Sequence, residues 1–201
     1  MLTFHFLKIS LYTCLLTCLL VGCASEIEFV PKPVGFNRID LPTPTYKALA
    51  EKHPYSFEHA TISYIRPDSA GIAEPHWIYI IYPKYKANVQ LTYKKIPNAK
   101  VLAGLIDDSH TLVSKHKIKA TGVEQNIIKT PSGKTAAVFE LEGDVPSQFQ
   151  FYVTDSTQHF LRGALYFRTA TKNDSLAPII DYIKKDIIHL LNTVKWDYET
   201  K

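Results

Sequence analysis

Alternation of apolar and polar side chains is clearest in "KYKANVQLTYK", where Tyr85, Ala87, Val89, Leu91 and Tyr93 interleave with Lys84, Lys86, Asn88, Gln90, Thr92 and Lys94. A period of two with one polar face predicts an antiparallel strand covered on one side only. The preceding "WIYIIYP" is apolar on both faces, which predicts a central or partly covered strand. "SFEHATISYIR" alternates through Ala60, Ile62 and Tyr64, and "PDSAGIAEP" reads as a loop. Two later stretches predict hairpins. "VEQNIIKTPSGKTAAVFELEG" folds back at Pro131-Ser132-Gly133, and "QFQFYVTDSTQHFLRGALYF" at Thr154-Asp155-Ser156-Thr157.

Helical spacing replaces alternation in two places. Asn98, after Pro97, is placed to cap a helix carrying Leu102, Leu105, Ile106, Leu112 and Val113 on one face. Its basic end, "SKHKIK", suits the negative end of the helix dipole. Near the C-terminus, Asp174 or Ser175 caps a second helix, with Pro178 in its first turn. Leu176, Ile179, Ile180, Ile183, Ile187, Leu190, Leu191 and Val194 form its apolar stripe, and Asp181, Lys184, Lys185 and Asp186 its polar face. "TYKALAEK" predicts a further short helix before Pro54. The order of elements predicts an α+β fold: a single domain over 46–201, with an antiparallel sheet and two main helices packed against it.

The N-terminal pattern differs. Met1–Lys8 holds one basic residue and no acid, and Ile9–Gly22 is a run of 14 almost wholly apolar or small residues. That is short of the roughly 20 that span a bilayer. Together with the prompt arrival of Glu26 and Glu28, it favours a cleaved secretory leader over 1–22 against a single-pass anchor. Leu20-Val21-Gly22-Cys23 resembles the bacterial lipobox, in which cysteine becomes the first mature residue and carries lipid. Residues 23–45, with Pro31, Pro33, Pro42 and Pro44, then read as a lipidated tether or a strap across the domain surface.

Composition narrows the chemistry. Cys14 and Cys18 leave with the leader and Cys23 is blocked by lipid, so the mature chain offers no disulfide and no thiolate ligand. The formal charge of +4 falls to +3 without Lys8, and its basic residues are spread out, unlike the clustered basic face of nucleic-acid binders. "PSGKT" has Ile128 where a phosphate-binding loop needs glycine, which leaves a hairpin turn. Ser156, Asp155 and His159 have the side chains of a hydrolase but lie on one hairpin without a nucleophile elbow. "DDSHT" (107–111) offers Asp107, Asp108 and His110 on a helix, where a solvated face is the simpler reading. His53, His59, His76, His110, His116, His159 and His189 contain no paired zinc-ligand spacing. Trp77, Tyr79, Tyr82, Tyr85 and Tyr93 crowd one region and are either core residues or an interface, where aromatics are enriched. The sequence thus points to no catalytic residue, no cofactor and no metal ligand.

Five segments, "PKPVGFNRIDLP", "HPYSFEHA", "DSHTLVSKHKIKA", "YVTDSTQHFLRGALYF" and "DSLAPIIDYIKKDIIHLLNTVKW", resemble the gliding-motility lipoprotein GldD family of the Bacteroidetes, in order, from about Pro31 to Trp196. The resemblance implies a cell-envelope lipoprotein needed for gliding and for the associated type IX secretion machinery. The leading expectation is a non-catalytic accessory subunit that meets other envelope proteins, and Ala24 rather than Asp after the cysteine points to sorting to the outer membrane, facing the periplasm. Only Cys23, the lipid-attachment residue, carries over as a site. A small-ligand-binding lipoprotein and an unrecognised hydrolase are the competing readings. The order of strands and helices also looks like the Mog1/PsbP-like sandwich, a likeness of fold without function.

Overall fold

Three short strands open the folded chain, β1 (Tyr46–Ala48), β2 (Tyr55–Ser56) and β3 (Glu58–Ala60). Seven longer ones follow: β4 (Tyr64–Pro67), β5 (Ile78–Tyr82), β6 (Ala87–Lys95), β7 (Ala120–Lys129), β8 (Thr135–Gly143), β9 (Phe149–Thr154) and β10 (His159–Phe167). Helix α1 (Ala99–His116) lies between β6 and β7, and α2 (Asn173–Thr193) precedes the two-residue β11 (Lys195–Trp196). The computed structural model describes residues 39–168 and 173–197. The leader, Cys23, Pro31 and Pro33 lie outside these residues, as do the side chains of Asp174 and Ser175 read as caps. The compact unit to which the described residues belong runs from Phe36 to Lys201.

Strands β4 to β10 form one antiparallel sheet in the order β4-β5-β6-β10-β9-β8-β7. The period-two reading sets its two faces. Val89, Leu91, Val153, Leu161 and Leu165 point to one side, where Ile183, Ile187, Leu190 and Leu191 of α2 seal the larger core. Ala137, Phe139, Leu141, Tyr152 and Phe160 point to the other and meet Val113, Leu105 and Ile106 of α1. Both hairpins form. Gly133 takes φ +77° in the first, a left-handed conformation that favours glycine. In the second, Asp155 Oδ1 accepts the backbone N–H groups of Thr157, Gln158 and His159, each at 2.9 Å. Asn98 caps α1 as expected, its Oδ1 accepting the Val101 N–H at 3.0 Å, a contact type worth about 1 kcal/mol.

The structure corrects five details. "TYKALAEK" is not a helix. Tyr46–Ala48 forms β1 against β3, because an eight-residue helix is marginal alone and pairing Tyr46 with Ala60 satisfies the backbone instead. The alternation through Ala60, Ile62 and Tyr64 is interrupted by a turn in which Ser63 N–H donates to the Ala60 carbonyl, so β3 and β4 belong to different sheets. Leu112 is exposed, because the line of α1 that packs inward runs through Leu105, Ser109 and Val113 at spacings of four, and Leu112 stands about 100° round the helix from Val113. Pro178 lies inside α2, which begins at Asn173, and not in its first turn. Asp186, assigned to the polar face of α2, is only 2% exposed.

Candidate functional site

Helix α1 covers the β8–β9–β10 half of its face of the sheet and leaves the β4–β5–β6 half open. Backbone register arranges the side chains there in rows. Tyr64, Ile81, Asn88 and Tyr166 form one row, Arg66, Tyr79, Gln90 and Ala164 the next, and Thr92 lies beside Arg162 in a third. Tyr79, Ile81, Asn88, Gln90, Thr92, Lys94, Arg162 and Tyr166 are all half-buried, as befits a shallow platform. Asn88, Gln90, Thr92 and Lys94, the polar positions of "KYKANVQLTYK" that fall within β6, are therefore the ones that face this surface.

The platform is internally braced. Gln90 Nε2 donates to Tyr79 OH at 3.1 Å and to Asp68 Oδ2 at 3.0 Å. The Arg66 guanidinium lies 5.4 Å from the Tyr79 ring centre. Burial pulls the Asp68 carboxyl upward, but hydrogen bonds from Ala70 N–H, Gln90 and Tyr79, with the Arg66 charge, hold it below the usual carboxylate range. Arg162 donates to Gln150 Oε1 at 2.6 Å, and burial lowers its affinity for its proton. The His116 imidazole, at the end of α1, is pushed down by burial and by Arg162. At the top edge, Lys94 pairs with Glu74 and lies over the Trp77 ring, whose Nε1–H donates to the Tyr93 carbonyl at 3.0 Å. Such a surface supplies hydrogen-bond donors and aromatic faces, and it brings no nucleophile to a base.

The other candidates do not converge. Tyr82, Tyr85 and Tyr93 are buried, so the aromatic group named from sequence divides into core residues and the half-buried pair Trp77 and Tyr79. Ser156 is exposed in the β9–β10 turn at φ +64°, whereas the His159 ring is buried, bonded through Nδ1 to Tyr93 OH at 2.8 Å and stacked on Trp196. Asp155 is engaged by the backbone of the same turn. Asp107 and Asp108 are exposed, and His110 packs edge-on against Phe139 rather than facing solvent with them. Among the described residues, no group of three or more histidine, cysteine, aspartate or glutamate side chains is arranged to hold a metal ion, and no helix is long and apolar enough to cross a membrane. A cleft of about 600 Å³ between β8 and α2 is lined by Glu140, Glu142, Asp144 and Asp181 around Lys184.

Sequence reasoning missed Asp186. Its Oδ1 accepts a hydrogen bond from Tyr46 OH at 3.1 Å, with the Tyr82 hydroxyl as a second neighbour. Burial raises the Asp186 pKa, those hydroxyls oppose the rise, and the Tyr46 phenol is pushed up to about 12 by burial and by the carboxylate. Tyr46 also stacks on His189, with ring centres 3.6 Å apart. This cluster, with Asp186 and Tyr82 buried and Tyr46 and His189 half-buried at its margin, ties β1 to α2.

The domain is similar to the solution structure of cyanobacterial PsbP (CyanoP) from Synechocystis sp. PCC 6803, at 10% identity and a TM-score of 0.48, over 82% of this chain and 99% of that one. No curated protein matches the sequence. The family model of the gliding motility lipoprotein GldD matches residues 26–196, and the chain belongs to that family.

Proposed function

We propose that this lipoprotein is a non-catalytic accessory subunit of the gliding apparatus and its type IX secretion machinery, held to the outer membrane by lipid on Cys23 and facing the periplasm. It acts by contact with other envelope proteins, through the open half of the sheet. Family membership supports the setting. The observation that carries the contact reading is the braced row of half-buried donors and rings on β5, β6 and β10, beside a Ser156 and a His159 with separate structural environments. Broad surfaces of this composition recognise partners by shape and hydrogen bonding.

Complementation of a deletion strain tests it. Thr92→Trp, which plants a ring in the middle of the platform, is expected to abolish gliding and secretion while the protein accumulates normally by immunoblot. Ser156→Ala is expected to restore both. A stable Ser156→Ala protein that fails, with Thr92→Trp functioning, requires a catalytic reading instead. Tyr85 is a poor probe of this surface because it is buried, and Lys86, in the turn at its lower end, lies outside the rows of the platform.

Lipidation is tested separately. Cys23→Ser is expected to yield protein that no longer partitions with membranes, since stable anchoring takes at least two hydrophobic signals and the modified cysteine supplies several acyl chains. Mass spectrometry finding an unmodified Cys23 in the mature native chain would remove the anchor from the model of function.

A further inference from the structure

At the lower end of the open sheet face, a cleft of about 400 Å³ is bounded by Arg66, Lys86 and Arg168, with Tyr64 and Asn88 between them. Among the described residues no carboxylate lines it, and none of the three cations forms an ion pair with a described acid. Asp68 attracts Arg66 from nearby without pairing with it. The backbone fixes two of the charges side by side. The turn Pro83–Tyr85 leaves Lys86 in a left-handed conformation at φ +49°, and its carbonyl accepts the Arg168 N–H at 2.9 Å. Buried Tyr85 holds that turn in the core, and Arg66 arrives from β4, paired with Tyr79. Three cations brought together from distant segments, with neutral donors and no described acid among them, make a receptor for a phosphate group, which guanidinium forks match in shape as well as charge.

We propose that this cleft holds the phosphate of an anionic lipid headgroup and docks the domain on the bilayer. The path of the chain selects a lipid as the source. Ile39 and Leu41 pack against the core, and the carbonyl of Asp40 between them accepts a hydrogen bond from Lys84 Nζ at 3.0 Å, within the turn that also supplies the cleft wall. Cys23 precedes Ile39 by 16 residues, so an anchored cysteine is at most roughly 55 Å from the cleft's own turn at about 3.4 Å per residue. Tethering at that range keeps headgroups locally concentrated, so among phosphate sources the lipid is the one this cleft meets, and the tether adds to an affinity that the cleft has by itself. The inference uses the lipid-anchor reading only to choose the source, and its test is independent of lipidation.

The mature chain carrying Cys23→Ser, and hence no lipid, is sedimented with vesicles of phosphatidylcholine with or without phosphatidylglycerol at low salt. It is expected to bind the anionic vesicles alone. The double variant Arg66→Gln/Arg168→Gln is expected to bind roughly tenfold more weakly or worse. Arg66→Lys/Arg168→Lys, which keeps the charge, should recover most of the binding and shows that loss is not misfolding. Lys52→Gln/Lys129→Gln removes the same net charge elsewhere and should leave binding unchanged. Equal losses in the two glutamine pairs, or binding indifferent to phosphatidylglycerol, overturn the proposal. Saturable binding of soluble glycerol phosphate at the cleft without vesicle binding overturns the membrane assignment.

Discussion

Ile187→Ala should lower the unfolding free energy by about 2 to 5 kcal/mol, the range for truncating a fully buried isoleucine. Ile187 is 1% exposed in the middle of α2 and belongs to the cluster that joins the helix to the sheet, with Ile183, Leu190 and Leu191 beside it. Sheet residues on the far side of that contact, such as Leu91 and Leu165, come from central strands that are themselves fixed by neighbours on both edges. The cavity therefore has little freedom to collapse, which places the cost above the bare transfer term. Lys185→Ala, two positions away on the exposed side, should change stability by less than about 0.5 kcal/mol. Lys184 is a less suitable control, because it pairs with Glu140 on β8. Urea denaturation of the two variants and the parent distinguishes the outcomes, provided the m-values agree. Similar midpoint shifts for Ile187→Ala and Lys185→Ala would contradict the placement of the helix.

The elements that emerged from sequence alone were those with a long repeat or a specific local contact. The first eight residues of β6 alternate without a break, so both its existence and its buried face were legible. Asn98 and the Thr154–Thr157 turn carry side chains that bond their own backbone, which makes them local signals. Strands of two or three residues have no such repeat. β1, β2 and β11 exist because partners remote in sequence supply the missing hydrogen bonds, as when Trp196 pairs with Tyr55. Asp186 is a different case. It lies three residues after Ile183 and four before Leu190, squarely within the apolar stripe, so spacing placed it inside while its charge suggested outside. Spacing prevailed because Tyr46 and Tyr82, from other elements, solvate the carboxylate. The platform and the basic cleft were not legible for a related reason. Arg66, Lys86 and Arg168 become neighbours only when β4, β6 and the end of β10 are laid into one sheet.

Gly163→Ala should be severely destabilising although it adds a single methyl group. Gly163 sits in β10, between Leu91 of β6 and Phe151 of β9. Its backbone does not take a positive φ, so the need for glycine here is a matter of space, not of conformational freedom. A Cβ at this position would fall well inside van der Waals contact with Cζ and Cε1 of Phe151, and 2.9 Å from Leu91 Cδ2. The Phe151 ring lies over the glycine and occupies the room a side chain would use. Phe151 is 1% exposed and Leu91 is wholly buried, so neither can swing into solvent. Overpacking of this kind costs about 1 to 3 kcal/mol, with larger values where the surroundings are rigid, and here the site is a central strand. Loss of that size in a marginally stable domain should also reduce the amount of protein in the cell. A double-mutant cycle isolates the cause. Phe151→Leu destabilises by itself through lost packing, but Gly163→Ala introduced into that background should cost much less than in the parent. If urea denaturation gives the same penalty for Gly163→Ala whether residue 151 is phenylalanine or leucine, the ring is not what requires glycine at 163.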